Sequence, residues 1–165
     1  MVKAIPDGYH TLTPSLIVKD GGAAIEFYKR ALGAQELMRF PGPDGKGLMH
    51  AELKVGDSIV MLAEEKPEMG CRAASSVGGA TSALYLYVGD ADVAFKRAVD
   101  AGAKVVMPVT DMFWGDRMGQ IEDPSGHRWT LATHKEDVTP DEMAKRAREF
   151  FARMAQPAGP GQAKK

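Results

Sequence analysis

An α+β fold is predicted for this chain: two consecutive βαβββ units with a helix appended. Three observations carry the prediction. Similar segments recur in the same order about 70 residues apart (16 to 86, 33 to 102, 56 to 126). Each copy opens with a β-rich run ending at an acidic turn residue, followed by a helical apolar stripe. Short β candidates punctuated by turn residues then complete each copy. At 165 residues, 44% of them apolar, the chain is long enough for one packed domain with its own core.

Taken in order, Leu16-Ile17-Val18-Lys19-Asp20 matches Leu86-Tyr87-Val88-Gly89-Asp90. Ala24, Phe27, Tyr28, Ala31 and Leu32 fall on one face of a helix, as do Ala91, Ala94, Phe95 and Ala98 in the second copy. Tyr28-Lys29-Arg30-Ala31-Leu32 matches Phe95-Lys96-Arg97-Ala98-Val99, and Gly33-Ala34 matches Gly102-Ala103, with glycine where a helix ends. Strands are predicted over 36–40, 48–55 and 58–62 in the first copy, with a turn at Pro41-Gly42-Pro43-Asp44-Gly45. In the second they are predicted over 104–108, 119–123 and 127–133. The first copy spans about 9–65 and the second about 81–135, so the domain covers 1–135. The linker, about 66–80, is rich in Gly, Ser and charge and reads as a mobile loop. Thr139-Pro140-Asp141-Glu142 is a capping box that starts a C-terminal helix within 136–155. Its apolar face is Met143, Ala147, Phe150, Phe151 and Met154, and it packs on the domain or on a partner subunit. The Pro-, Gly- and Lys-rich tail at 156–165 is expected to be disordered.

A net charge of −1 argues against nucleic acid or an anionic membrane recognised by bulk charge. No stretch approaches the roughly 20 apolar residues of a membrane span. One cysteine, Cys71, permits no intrachain disulfide, and Met1 to Tyr9 lacks the pattern of a signal peptide, so a cytoplasmic location is expected.

Several runs go beyond fold. They are Phe27-Tyr28-Lys29-Arg30-Ala31 with Gly33-Ala34, His50-Ala51-Glu52-Leu53, and Phe113-Trp114-Gly115-Asp116-Arg117. Asp123-Pro124-Ser125-Gly126-His127-Arg128-Trp129 and Thr133-His134 complete the set. With these the chain resembles a PhnB-like member of the glyoxalase/bleomycin resistance/extradiol dioxygenase (vicinal oxygen chelate) superfamily, over roughly 9–143. The resemblance implies a cupped mixed sheet from each repeat, the two forming a partly open barrel whose concave face makes a ligand cavity, and a homodimer. It also implies metal-ligand positions on the first and last strands of each repeat, which here hold Thr13, Val60 or Met61, Ala83 and Thr130. None of these is a competent ligand, so no cofactor is expected, with a divalent metal at another site as the remaining option.

The candidate catalytic residues are His50, Glu52 and Arg117. His50 and Glu52 lie two apart and project from one face of a strand, as a polar rim, an acid/base pair or part of a noncanonical metal site. Trp114, Asp116 and Arg117 read either as a clamp for an anionic or planar ligand or as an internal pair, with Asp116 capping a turn and pairing with Arg117 or Arg128. Tyr85 and Tyr87 share a face with Ala83, lining an organic-ligand site or filling a core. Arg128 and His134 share the face of Thr130, leaving Trp129 for the core; Asp123 reads as turn chemistry. The function expected is binding of a small organic molecule of the bleomycin-resistance type. The alternative is a lyase, transferase or dioxygenase working near His50 and Glu52.

Overall fold

The computed structural model describes residues 2–155. The first repeat comprises β1 (Ser15–Val18), α1 (Gly21–Leu32), β2 (Gln35–Pro41), β3 (Leu48–Val55) and β4 (Ser58–Glu64). The second comprises β5 (Ala83–Tyr87), α2 (Ala91–Asp100), β6 (Lys104–Asp111), β7 (Asp116–Glu122) and β8 (Arg128–His134). α3 (Pro140–Met154) follows. The acidic residue after β1 and after β5 is a helix cap: Asp20 accepts from the Ala23 N–H at 2.8 Å, and Asp90 from the Val93 N–H at 3.0 Å. α1 ends at Gly33 in the left-handed region, φ 69°.

Each repeat makes one four-stranded mixed sheet, β1-β4-β3-β2 and β5-β8-β7-β6. The first strand pairs parallel with the last because a helix carries the chain across between them. The remaining pairs are antiparallel. This is the predicted βαβββ duplication, but the two sheets are separate and do not close on one another.

One core serves both repeats. Val18, Ile25, Tyr28, Leu53 and Leu62 pack into one cluster with Ile121, Trp129 and Leu131. Burial of each such side chain contributes about 1.5–3 kcal/mol. α1 touches α2, and the Arg97 Nε donates to the Ala31 carbonyl at 2.9 Å. The helix-facing sides of both sheets therefore share an interior, and the opposite, concave sides are left open in the single chain. Met38 and Phe40 on the first and Tyr85 and Tyr87 on the second are exposed.

The linker differs from the expected mobile loop. Pro67–Met69 and Ala74–Val77 form 3₁₀ turns, and Ala73 and Ala74 are buried. The segment is held at its middle: Ala73 N–H donates to Glu65 at 3.1 Å and Ser75 N–H to the Ser125 carbonyl at 2.8 Å. Backbone hydrogen bonds to the second repeat replace the side-chain periodicity that sequence reading relies on.

Thr139 caps α3 by accepting from the Glu142 N–H at 3.4 Å. The helix meets the domain through Phe113, 5.6 Å from Phe150 and 6.0 Å from Phe151, and through Arg146, which donates to Glu136 at 2.7 and 2.9 Å. None of its residues is buried, and Phe151 and Met154 are exposed. Among the described residues no helix is long and apolar enough to cross a membrane. The tail at 156–165 lies outside the described residues.

Candidate functional site

Strand parity decides which side chains reach the concave face of the second sheet. Tyr85 is in register with Thr130, which pairs with Gln120; Tyr87 is in register with Ala132, which pairs with Met118. Asp116 pairs with His134 one step further along. These residues share one face.

Asp116 is the centre of that face. It is 3% exposed, yet it meets four side-chain donors. The Tyr85 hydroxyl at 2.9 Å, the Tyr87 hydroxyl at 3.0 Å and the Trp114 indole N–H at 3.2 Å all donate to Oδ2. His134 Nδ1 lies 2.9 Å from Oδ1, and its Nε2 lies 3.0 Å from exposed Asp137. The tyrosines stand on β5, whereas Asp116 stands on β7, with β8 between. Strands are about 4.8 Å apart, so both side chains must lie across β8 to reach it. Thr130 and Ala132 are buried beneath, while Tyr85 is 45% and Tyr87 61% exposed.

The charges follow from these contacts. Burial pushes the Asp116 carboxyl up, but hydrogen bonds from His134, Tyr85, Tyr87 and Trp114 outweigh it and leave the group below the usual aspartate value. Burial, then the hydrogen bond to Asp116, pushes the Tyr85 phenol far above its usual range. The same bond raises Tyr87. Hydrogen bonds to Asp116 and then Asp137 raise His134 against partial burial.

Asp116 pairs with neither Arg117 nor Arg128. As neighbours in a strand Asp116 and Arg117 point to opposite faces. Arg117 lies on the helix side, donating to Asp92 of α2 at 2.6 and 2.7 Å and to Asp111 at 3.0 Å. It is a structural clamp, set apart from Trp114 and the tyrosines. Arg128, on the concave face, lies 3.9 Å from Glu122, which also meets Lys104 at 3.4 Å. Thr130 accepts from Gln120 at 3.3 Å and forms floor rather than rim. Trp129 is buried in the core, as expected.

Sequence reading gave Asp123 its turn role and missed its second one, as partner of Tyr28 and Trp129. Asp123 is 4% exposed. Its Oδ1 accepts from the Ser125 and His127 N–H groups at 2.9 and 3.0 Å, which is the turn chemistry expected. Its Oδ2 accepts from the Tyr28 hydroxyl at 2.6 Å and the Trp129 indole at 3.0 Å, tying α1 to the second repeat. The Phe27-Tyr28 pair was the available signal, because a buried tyrosine hydroxyl needs a partner.

On the first sheet, His50 Nε2 lies 3.2 Å from Glu52 Oε1, on the face shared with Phe40 and Met38. Interaction with the Tyr9 hydroxyl, then with His50, outweighs burial and lowers the Glu52 pKa; Glu52 in turn raises that of Tyr9.

The metal positions that the resemblance implies fall at Thr13, Val60 or Met61, Ala83 and Thr130. Val60 pairs with Leu53 and is buried in the core, whereas Met61, in register with Ser15 and paired with Glu52, faces the concave side. Met61 and not Val60 is therefore the cavity-side residue. Thr13 is turned to the His10 carbonyl at 3.0 Å. A thioether, two hydroxyls and a methyl group are the wrong donors for a divalent Lewis acid. No group of three or more His, Cys, Asp or Glu able to hold a metal occurs among the described residues.

The family model for the Glyoxalase/Bleomycin resistance protein/Dioxygenase superfamily matches residues 9–131. An uncharacterised protein of Mycobacterium tuberculosis (strain ATCC 25618 / H37Rv) is 45% identical over 136 residues, covering 80% of this chain and 79% of that protein. The crystal structure of TioX from Micromonospora sp. ML1 superposes with a TM-score of 0.58 at 27% identity, over 79% of this chain and 100% of that one. A glyoxalase-related enzyme from Fulvimarina pelagi shares the fold with a TM-score of 0.59 at 18% identity, over 79% of this chain and 97% of its own. The chain belongs to the glyoxalase/bleomycin resistance protein/dioxygenase superfamily.

Proposed function

We propose that this superfamily member, of the PhnB-like branch its sequence resembles, binds a small organic molecule on the open face of the second sheet. It does so without the superfamily's usual metal site, sequestering its ligand in the manner of a bleomycin-resistance protein. One observation carries the reading: Tyr85, Tyr87 and Trp114 are fixed by a shared carboxylate while the two tyrosine rings stay half exposed. Aromatic surface held rigid before binding loses little entropy when a ligand arrives. In this reading the chain works in the cytoplasm as a homodimer, a second copy covering the open faces where Met38, Phe40, Tyr85 and Tyr87 lie exposed. Its partners are then a small molecule and its own copy, with neither nucleic acid nor membrane.

A thermal-shift screen of metabolites and antibiotics on tag-free protein tests the reading. A compound at 100 times its Kd adds about 2.7 kcal/mol to stability. Binding without product, lost in Tyr87→Ala, is the expected result; turnover of the bound compound by pure protein would overturn it.

A second reading rests on the His50–Glu52 pair on the first sheet. There Glu52 acts as general base and His50 as its acid partner, or the pair contributes to a noncanonical metal site. Elemental analysis of tag-free protein separates the two readings. One transition metal per chain, lost in His50→Ala, favours the second; metal-free protein that still binds its compound favours the first.

A further inference from the structure

The geometry points to an organic cation, a quaternary ammonium or alkylated amine, as the ligand class of the Tyr85–Tyr87–Trp114 site. This inference rests on the proposed small-molecule site and adds the charge of the ligand.

Asp116 is a carboxylate without a cation of its own on this face apart from the shared His134. Asp116 carries a full negative charge at neutral pH, and three of its four side-chain donors are neutral. The arginines that could neutralise it are committed elsewhere. Arg117 is turned to the other face, against Asp92 and Asp111. Arg146 is held by Glu136 and Glu142. His134 is shared between Asp116 and Asp137, so even its protonated form meets two carboxylates. At the far end of the face, Lys104 and Arg128 flank Glu122.

Each phenol or indole donates along its own plane to Asp116 Oδ2, so the carboxylate sits at the ring edges and not over the faces. The Tyr85 and Tyr87 centroids are 5.1 Å apart with planes inclined at 48°, and both side chains are exposed. Donation to an anion pushes electron density into a phenol ring. Its face becomes more negative and attracts a cation more strongly. An anionic ligand would meet both the negative faces and the buried charge below them.

Choline and its uncharged carbon isostere, dimethylbutanol, are probes of one shape and different charge. Binding is followed on the full chain by the Trp114 indole N–H resonance in NMR, with Trp129 as the internal reference. Choline is expected to bind about tenfold tighter than the isostere, the size of a partly desolvated cation–π contact. Tyr87→Phe, which keeps the ring, should bind choline within about threefold of the native chain, and Tyr87→Ala should lose about tenfold. Tyr87 is mostly exposed, so both variants are expected to fold. Equal or tighter binding of the isostere, or undiminished choline binding by Tyr87→Ala, would overturn the cation. If a neutral or anionic aromatic compound perturbs Trp114 where choline does not, the small-molecule site stands and the cation fails. If no compound of any charge perturbs it, both fail.

Discussion

On the concave face of the first sheet the carboxylate sits mid-strand, at Glu52, and draws on His50 of its own strand. On the second it sits at the start of a strand, at Asp116, and draws on β5, on β8 and on Trp114, all within the repeat. The same contrast recurs at the two matched glycines. Gly56 and Gly126 both adopt positive φ, 61° and 88°. A Cβ on Gly56 would meet open space, whereas one on Gly126 would lie 2.5 Å from the Ser75 backbone nitrogen. The duplicated scaffold keeps its helix-facing core in both copies. Its concave faces and hairpin turns have diverged, and the second repeat carries the more interconnected version of each.

Four measurements would break or sharpen that contrast. The largest effect is expected at Asp123. Asp123→Ala strips partners from Tyr28, Trp129 and two turn N–H groups at once, and should cost about 3 kcal/mol or more in urea denaturation. A loss below about 1 kcal/mol would mean the inter-repeat tether is dispensable. Next come the glycines. Gly56→Ala should cost about 1 kcal/mol for its backbone conformation alone, and Gly126→Ala about 2–3 kcal/mol because a backbone clash adds to it. Equal losses would remove the asymmetry. On the two faces, Asp116→Asn should cost about 1–2 kcal/mol and Glu52→Gln less than about 0.5 kcal/mol, since the first has the more numerous and more buried partners.

The smallest effect is a pH dependence. His134 is raised above 6.5, so its contribution to stability is complete below that pH and fades as pH rises through the raised value. Asp116 is lowered, so its contribution holds at neutral pH and is lost on acidification through the lowered value. An NMR titration should place the His134 midpoint above the ordinary histidine value and show it fall in Asp116→Asn. An unchanged midpoint in the variant would separate the two groups.

What was legible in the sequence was local. Asp20 and Asp90 announce helix starts, Thr139 with Glu142 announces α3, and the apolar stripe of α1 names its buried face. Parity with Thr130, which the resemblance implies faces the cavity, assigns Trp129 to the core, where it is buried. The same rule would have split Asp116 from Arg117, but β7 begins at Asp116, three residues before the predicted strand at 119, so the rule was not applied to the pair. Tyr28 and Asp123 lie 95 residues apart, and no spacing rule connects them. The linker's order had the same cause, because its partner is the Ser125 carbonyl.

The seam between repeats also sets a timetable. The backbone leaving β1 is completed by residues far downstream: the Lys19 N–H donates to Ser125, 106 residues later, and the Ile17 carbonyl meets His127, 110 residues later. A ribosome adding about 5–20 residues per second needs roughly 5–20 s to deliver them. Through the later part of that interval the first repeat is complete, with the end of its opening strand unsatisfied and the side of α1 that will carry the Tyr28–Asp123 bond uncovered. Nascent chains of this protein are therefore exposed to chaperones and proteases until the second repeat's last hairpin arrives.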